Sequence, residues 1–95
     1  MLLHGTHDAA REAMLRTGLL PMQRQYVHLT DDASLARQVG ARRGPPSLLA
    51  IDAACAHASG VVFLQTNAHF WLAKHVPAQV VRTHVDVFVL HRQAQ

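Results

Sequence analysis

The sequence contains a single cysteine, Cys55, among its 95 residues. One cysteine excludes a disulfide within the chain and is typical of proteins in a reducing cytosol. We expect the Cys55 thiol to be buried, because alanines surround it in the sequence. The chain also lacks any apolar run near the roughly 18 residues that a membrane-spanning helix needs. These absences favour a cytoplasmic domain with no membrane partner.

Several chemical motifs are absent as well. No two of the eight histidines are four residues apart, as they are on a zinc-binding helix, so no metal site is predicted. The glycines form neither a G-x-G-x-x-G motif nor a phosphate-binding loop. None of the three serines lies in a nucleophile elbow, and the small number of Asp and Glu residues argues against paired-acid catalysis. The sequence therefore argues against a zinc enzyme, a serine hydrolase and a Rossmann-type nucleotide crevice.

Arginine accounts for eight of the nine basic residues, and the chain has a formal net charge of +3. The planar guanidinium suits two-point recognition of phosphate, so a phosphate-bearing partner is one explanation. A genome rich in G and C is the other, because it also raises the numbers of arginine and alanine. Composition alone leaves both explanations open.

The order of apolar segments predicts one small α+β domain. Two short helices are expected, one over residues 9–17 after an Asp8 cap and one over residues 31–39 after a Thr30 cap. Residues 52–57 indicate a further helical turn. Six strands are expected to form one curved, split sheet, and their first residues are Leu2, Tyr26, Ser47, Val61, Phe70 and His84.

Residues 18–30 join the first predicted helix to the second predicted strand. Gly18 can adopt the positive φ that closes a helix, and Pro21 prevents the helix from resuming at once. Arg24 then lies on a loop held at both ends, and His28 lies in the strand that follows. Loops held by a rigid scaffold often carry binding or catalytic residues. The alternative is that Arg24 is a solvated loop cation and His28 an ordinary strand histidine.

These segments together resemble the RNA 2′-phosphotransferase family, NAD-dependent enzymes that remove a splice-junction 2′-phosphate from RNA. The resemblance covers nearly the whole chain, in the same order. Its first part is carried by Leu3-His4-Gly5-Thr6, Gly18-Leu19, Met22-Gln23-Arg24 and Val27-His28-Leu29-Thr30. Its second part is carried by Val39-Gly40, Arg42, Gly44-Pro45, residues 48–52, Gly60, Phe63, Thr66, Trp71-Leu72 and Val76-Pro77.

The resemblance implies that residues 1–95 form an ADP-ribosyltransferase-like lobe, a split β-sheet that binds NAD in a cleft. Arg24 matches the catalytic arginine of this lobe, which neutralises the transferring phosphate. His4 matches the histidine that holds the ADP-ribose part of NAD. The residues implied for NAD binding are His4, Gly5, Thr6, His28, Leu29, Thr30 and Arg42.

The resemblance also implies a reaction that moves an RNA 2′-phosphate onto ADP-ribose. The 2′-phosphate attacks the ribose carbon that bears nicotinamide, and the ribose 2″-hydroxyl then attacks the phosphorus. The products are nicotinamide, dephosphorylated RNA and ADP-ribose 1″,2″-cyclic phosphate. The implied partner is therefore RNA carrying a 2′-phosphate, as in tRNA splicing and processing.

The sequence departs from the family pattern at two places. The family has an N-terminal winged-helix lobe, and we expect the chain to lack it, because only three residues precede His4. The Asn-Gly-Val-Trp run of the family is Ala68-His69-Phe70-Trp71 here, so His69 is expected to alter the cleft wall. The alternative function is a lobe that binds NAD or ADP-ribose without turnover, or a truncated family member.

Overall fold

The computed structural model of the chain describes residues 1–21 and 24–84. Its strands are β1 (Leu2–His7), β2 (Val27–Thr30), β3 (Pro46–Ile51), β4 (Leu64–Gln65), β5 (Phe70–Ala73) and β6 (Val81–Thr83). Its α-helices are α1 (Asp8–Thr17), α2 (Ala33–Gly40) and α3 (Ala53–Ala58). The predicted α+β class is confirmed. Within this part of the chain, every helix is too short or too polar to cross a membrane.

The six strands form one antiparallel sheet in the order β4-β5-β2-β1-β3-β6. β1 pairs with β3 along its whole length, and all four residues of β2 pair with β5. The central strands β1 and β2, by contrast, pair only where Leu3 faces Thr30. The sheet therefore consists of two three-stranded halves that are joined at one end and separate along the rest of the β1–β2 junction.

Both faces of the sheet are covered by helices. Leu49 and Ile51 of β3 contribute to the larger core, on the face where α1 and α3 pack, whereas Leu48 and Ala50 contribute to a smaller core under α2. Alternate residues of a strand point to opposite faces, so a strand that is covered on both sides is apolar throughout. This explains the uninterrupted apolar run in β3.

Two glycines allow α2 to lie directly against β1. A Cβ at Gly5 would overlap the backbone carbonyl of Ala36, and a Cβ at Gly40 would overlap the backbone of Thr6. The space that a side chain at residue 5 would need is therefore occupied by the backbone of α2. This contact fixes the position of α2 on the β1 half of the sheet.

The helix starts differ from the predictions. Thr30 does not cap α2; the Asp32 carboxylate does, by accepting the Leu35 N–H at 3.1 Å. The Thr30 hydroxyl instead accepts the Asp32 N–H at 3.2 Å, so it supports the capping residue. Asp8 is the first residue of α1 and not its cap, which is His7. Three consecutive cap-forming residues at 30–32 make the boundary ambiguous in sequence.

A third helix, α3, forms where only a helical turn was predicted, so the expected count of two helices is wrong. Its residue Cys55 is exposed, and the expectation that the thiol is buried is wrong as well. The next residue, Ala56, is fully buried in the larger core. Consecutive residues of a helix are about 100° apart around its axis, so the two neighbours face opposite environments.

Most predicted strands are confirmed with small shifts of their ends, but the strand predicted from Val61 is wrong. The Val61 N–H donates to the Ala56 carbonyl and completes the cap of α3, with Gly60 at φ 105°. β4 therefore begins only at Leu64, and β6 was not predicted. Residues 85–90 of the strand predicted from His84 lie outside the described residues, as do residues 22–23.

Candidate functional site

A cleft of about 400 Å³ opens where β1 and β2 separate. We call it the β1–β2 cleft. Its walls are β1, one face of α1, the loop and strand around Arg24 and His28, and the end of α2. It exists because pairing between the two central strands stops after Leu3 and Thr30. The site is thus made by the register of the sheet and not by any single segment.

Six of the eight residues predicted for the site line this cleft; they are His4, Gly5, Thr6, Arg24, His28 and Arg42. The other two do not. Leu29 is 1% exposed and lies in the larger core. Thr30 is also buried, and its hydroxyl supports the start of α2. The structure thus brings together residues that are up to 38 positions apart in sequence, from His4 to Arg42.

His4 reaches across the separation between the two strands. Its Nδ1–H donates to the backbone carbonyl of His28 at 2.9 Å, because a carbonyl oxygen can only accept. The other ring nitrogen, Nε2, is consequently an acceptor in the neutral ring. Burial lowers the pKa of His4 below its ordinary value of 6.5; the hydrogen bond to His28 opposes this, and the nearby His28 ring adds to it. His4 is therefore neutral at pH 7.

The cleft carries positive charge without a compensating acid. Arg24 and Arg42 are both exposed at its wall. Among the described residues that line the cleft, none is Asp or Glu. No carboxylate in the described part of the chain forms an ion pair with either guanidinium. Such a lining favours an anionic ligand, and arginine in particular favours phosphate.

The loop that carries Arg24 is fixed at its start. Gly18 ends α1 with a φ of 85°, as predicted, and its N–H donates to the Met14 carbonyl at 2.8 Å. Leu19 then exchanges two backbone hydrogen bonds with Val76, and the Arg24 N–H donates to the Pro21 carbonyl at 2.9 Å. Arg24 is therefore placed by backbone contacts while its side chain stays accessible.

Several lining residues were not predicted from the sequence. Ala10, Ala13, Met14 and Thr17 form the α1 wall of the cleft, and His7 and Tyr26 also line it. The α1 residues share the spacing of a core-facing helical stripe, so the sequence does not distinguish the two roles. Tyr26 lies two residues after Arg24 and could have been found by its position in the same loop.

Two further expectations concern histidines. His69 lines neither this cleft nor the second cleft described below; its Nδ1 instead lies 2.9 Å from the Asp31 carboxylate, beyond the other end of β2. The predicted effect of His69 on the cleft wall therefore has no structural support. Within residues 1–21 and 24–84, no three His, Cys, Asp or Glu side chains are close enough to hold a metal ion.

Comparison with known proteins matches residues 1–75 to the family described as RNA 2'-phosphotransferase, Tpt1 / KptA family. A protein of Streptomyces coelicolor named "Probable RNA 2'-phosphotransferase" is 46% identical over 81 residues, which are 85% of this chain and 44% of the relative. Proteins of the same name from Nostoc punctiforme and Pyrobaculum aerophilum are 38% and 41% identical, over 85% and 90% of this chain.

The chain spans less than half the length of these curated relatives, since the matched parts are 44%, 45% and 40% of their lengths. The match nevertheless includes every residue of the β1–β2 cleft, because all of them lie within residues 1–75. On this evidence the chain belongs to the RNA 2'-phosphotransferase, Tpt1 / KptA family.

Proposed function

We propose that this chain is the ADP-ribosyltransferase-like lobe of an NAD-dependent RNA 2′-phosphotransferase. The observation that carries the proposal is the cleft between β1 and β2, whose described lining residues include two arginines and three histidines but no Asp or Glu. The sparse β1–β2 pairing agrees with a split sheet that holds its ligand in the gap. The substrates would be NAD and cytoplasmic RNA that carries a 2′-phosphate, as arises in tRNA splicing.

The cleft has the size of a small-molecule site, and its side chains suit a dinucleotide. Its volume of about 400 Å³ lies within the range of roughly 300 to 1,000 Å³ typical of small-molecule sites. Neutral His4 presents Nε2 as an acceptor for a ribose hydroxyl, while its Nδ1–H is occupied by His28. Arg42 stands at the same wall as a cation for a phosphate of the nucleotide.

Arg24 is the candidate for the phosphate that is transferred. Phosphoryl transfer is accelerated chiefly by positioning and by neutralising charge that builds up on the phosphoryl oxygens. The Arg24 guanidinium is always protonated, exposed in the cleft and free of an ion-pair partner among the described residues. It can therefore hold the 2′-phosphate while that group attacks the ribose carbon and again while the ribose hydroxyl displaces the RNA.

The test is a product assay with the purified chain, NAD and an RNA oligonucleotide that carries one internal 2′-phosphate. We expect mass spectrometry to detect ADP-ribose 1″,2″-cyclic phosphate together with RNA that has lost the phosphate, and only when NAD is present. Because the relatives are longer, the assay is repeated with the N-terminal lobe of a family member added in trans. NAD binding without product in both arms would indicate the binding lobe instead of the enzyme.

A further inference from the structure

A second cleft, of about 560 Å³, lies beside the β1–β2 cleft. We call it the β5-end cleft, because it forms at the end of β5, where residues 73–75 meet the segment that follows α3. The side chains that determine its chemistry are Tyr26, Val62, Leu64, Lys74, His75 and Pro77. Tyr26 lines both clefts and therefore belongs to a wall that they share.

The chemistry of the β5-end cleft combines apolar surface with positive charge. Val62 and Leu64 are 67% and 46% exposed, although both are large apolar residues. Lys74 and His75 are exposed beside them. The described residues of this lining include no Asp or Glu. A surface of this kind is complementary to an anionic ligand that also has flat apolar faces.

Single-stranded RNA has this combination, because its bases stack on aromatic and apolar side chains while lysine contacts its phosphates. We propose that the β5-end cleft binds the nucleotide next to the 2′-phosphate, with a base against Tyr26 and a backbone phosphate at Lys74. The proposal rests on the proposed function, since it places the 2′-phosphate at Arg24 in the adjoining cleft. Only Gln25 separates Arg24 from Tyr26, so an RNA strand held at Arg24 can continue across the shared wall.

The experiment measures binding of a fluorescent single-stranded RNA that carries one internal 2′-phosphate, by anisotropy and without NAD. Lys74→Met is expected to weaken binding about tenfold and to reduce the dependence of log K on log salt by about 0.7, the value for one phosphate contact on a single strand. Val62→Ser is expected to weaken binding several-fold with the salt dependence unchanged. Arg16→Met is the matched control, because Arg16 is exposed on α1 and lines neither cleft.

A second measurement tests the shared wall. Tyr26→Phe retains the ring and should bind the RNA like the parent, whereas Tyr26→Leu should lose about tenfold, in line with the loss of one stacked base. All of the substituted residues are exposed or half-buried, and circular dichroism checks that each variant is folded. Photocrosslinking from a 4-thiouridine placed next to the 2′-phosphate should map to Tyr26 or to residues 59–64 or 73–77.

The two proposals fail in different ways. Equal RNA affinity and salt dependence for Lys74→Met and Arg16→Met would overturn the RNA site, even if the product assay succeeds. Failure of the parent chain to bind the RNA would also overturn the RNA site. So would a result in which Lys74→Met and Val62→Ser change self-association in sedimentation but leave RNA affinity unchanged, because this would indicate a protein interface. Loss of RNA binding in Lys74→Met without any product in either arm of the product assay would support the RNA site and contradict the enzyme.

Discussion

Arg24 is the residue whose replacement separates an enzyme from a binding lobe. It lines the cleft, its side chain is exposed, and no described carboxylate neutralises it. Removal of one preorganised donor for transition-state charge costs roughly 100- to 1,000-fold in rate. Arg24→Ala should therefore lower product formation by about that factor while the Kd for NAD changes only a few-fold, as measured by the product assay and by calorimetry.

The controls for this prediction are Arg24→Lys and Arg16→Ala. Lysine keeps the charge but not the planar two-point contact, so Arg24→Lys should restore little of the activity. Arg16 lies outside the cleft on the exposed side of α1, and Arg16→Ala should retain full activity. Equal activity in the parent and in Arg24→Ala would remove Arg24 from the mechanism.

His4 should make the stability of the fold depend on pH. Its pKa is lowered in the folded chain, chiefly by burial, so the unfolded chain binds the proton more readily. The contribution of neutral His4 to the free energy of unfolding is therefore complete above about pH 6.5, the pKa of histidine in the unfolded chain. It is lost as the pH falls from there towards the lower pKa of His4 in the folded chain. Urea unfolding between about pH 7.5 and pH 5 should show this loss.

The matched variant is His4→Gln, whose amide N–H can still donate to the His28 carbonyl but does not titrate. The free energy of unfolding of the parent should therefore fall more steeply towards acid than that of His4→Gln. The histidines that do not interact with His4 are the same in both proteins and cancel in the difference. Identical pH profiles would show that the His4 ring is not the group responsible.

At the scale of elements, the contact between α2 and β1 depends on Gly40. Its φ of −66° is ordinary helix, so alanine would normally be more favourable here by about 1 kcal/mol. A Cβ would, however, overlap the Thr6 backbone, and overpacking typically costs roughly 1 to 3 kcal/mol. Gly40→Ala should therefore destabilise the chain in chemical denaturation. Gln38→Ala, on the exposed surface of the same helix, is the control and should change stability by less than about 0.5 kcal/mol.

The same contact explains what the sequence can and cannot predict about elements. Gly5 is among the residues implied for NAD binding and it lines the β1–β2 cleft, but its lack of a side chain is also required by the Ala36 carbonyl of α2, a contact that the sequence does not indicate. Similarly, the run from Val61 has strand-forming residues, yet its first N–H is used by the cap of α3. Local propensity predicts that an element forms; which partner fills the space depends on tertiary packing.

At the scale of the whole molecule, the sequence predicted six of the residues that line the cleft, because they occur in the same order as in the family. His4 and His28 belong to strands that pair at one point only, and Arg42 follows a helix packed on β1. These contacts join residues that are far apart in the sequence. The sequence alone therefore could not show that Leu29 turns into the core while His28 faces the cleft. The alternation of β2 side chains accounts for that difference once the strand is placed.

The separation of the two half-sheets leads to a prediction for the stability of the whole chain. A ligand bound between β1 and β2 contacts both halves and should stabilise the folded state. A free ligand concentration of about 100 times Kd contributes about 2.7 kcal/mol to the free energy of unfolding. Each 1 kcal/mol raises the Tm of a domain of this size by roughly 4 to 8 °C. NAD should therefore raise the Tm of the parent in thermal melts, and the increase should grow with NAD concentration.

The His4→Ala and His28→Ala variants should lose most of this increase, because both side chains line the cleft. Their Tm without ligand serves as the baseline, so any general destabilisation is separated from the ligand effect. His57→Ala is the matched control, since His57 is exposed on α3 and lines neither described cleft; it should respond to NAD like the parent. If NAD raises the Tm of all four proteins equally, the ligand binds elsewhere, and the β1–β2 cleft is not the nucleotide site.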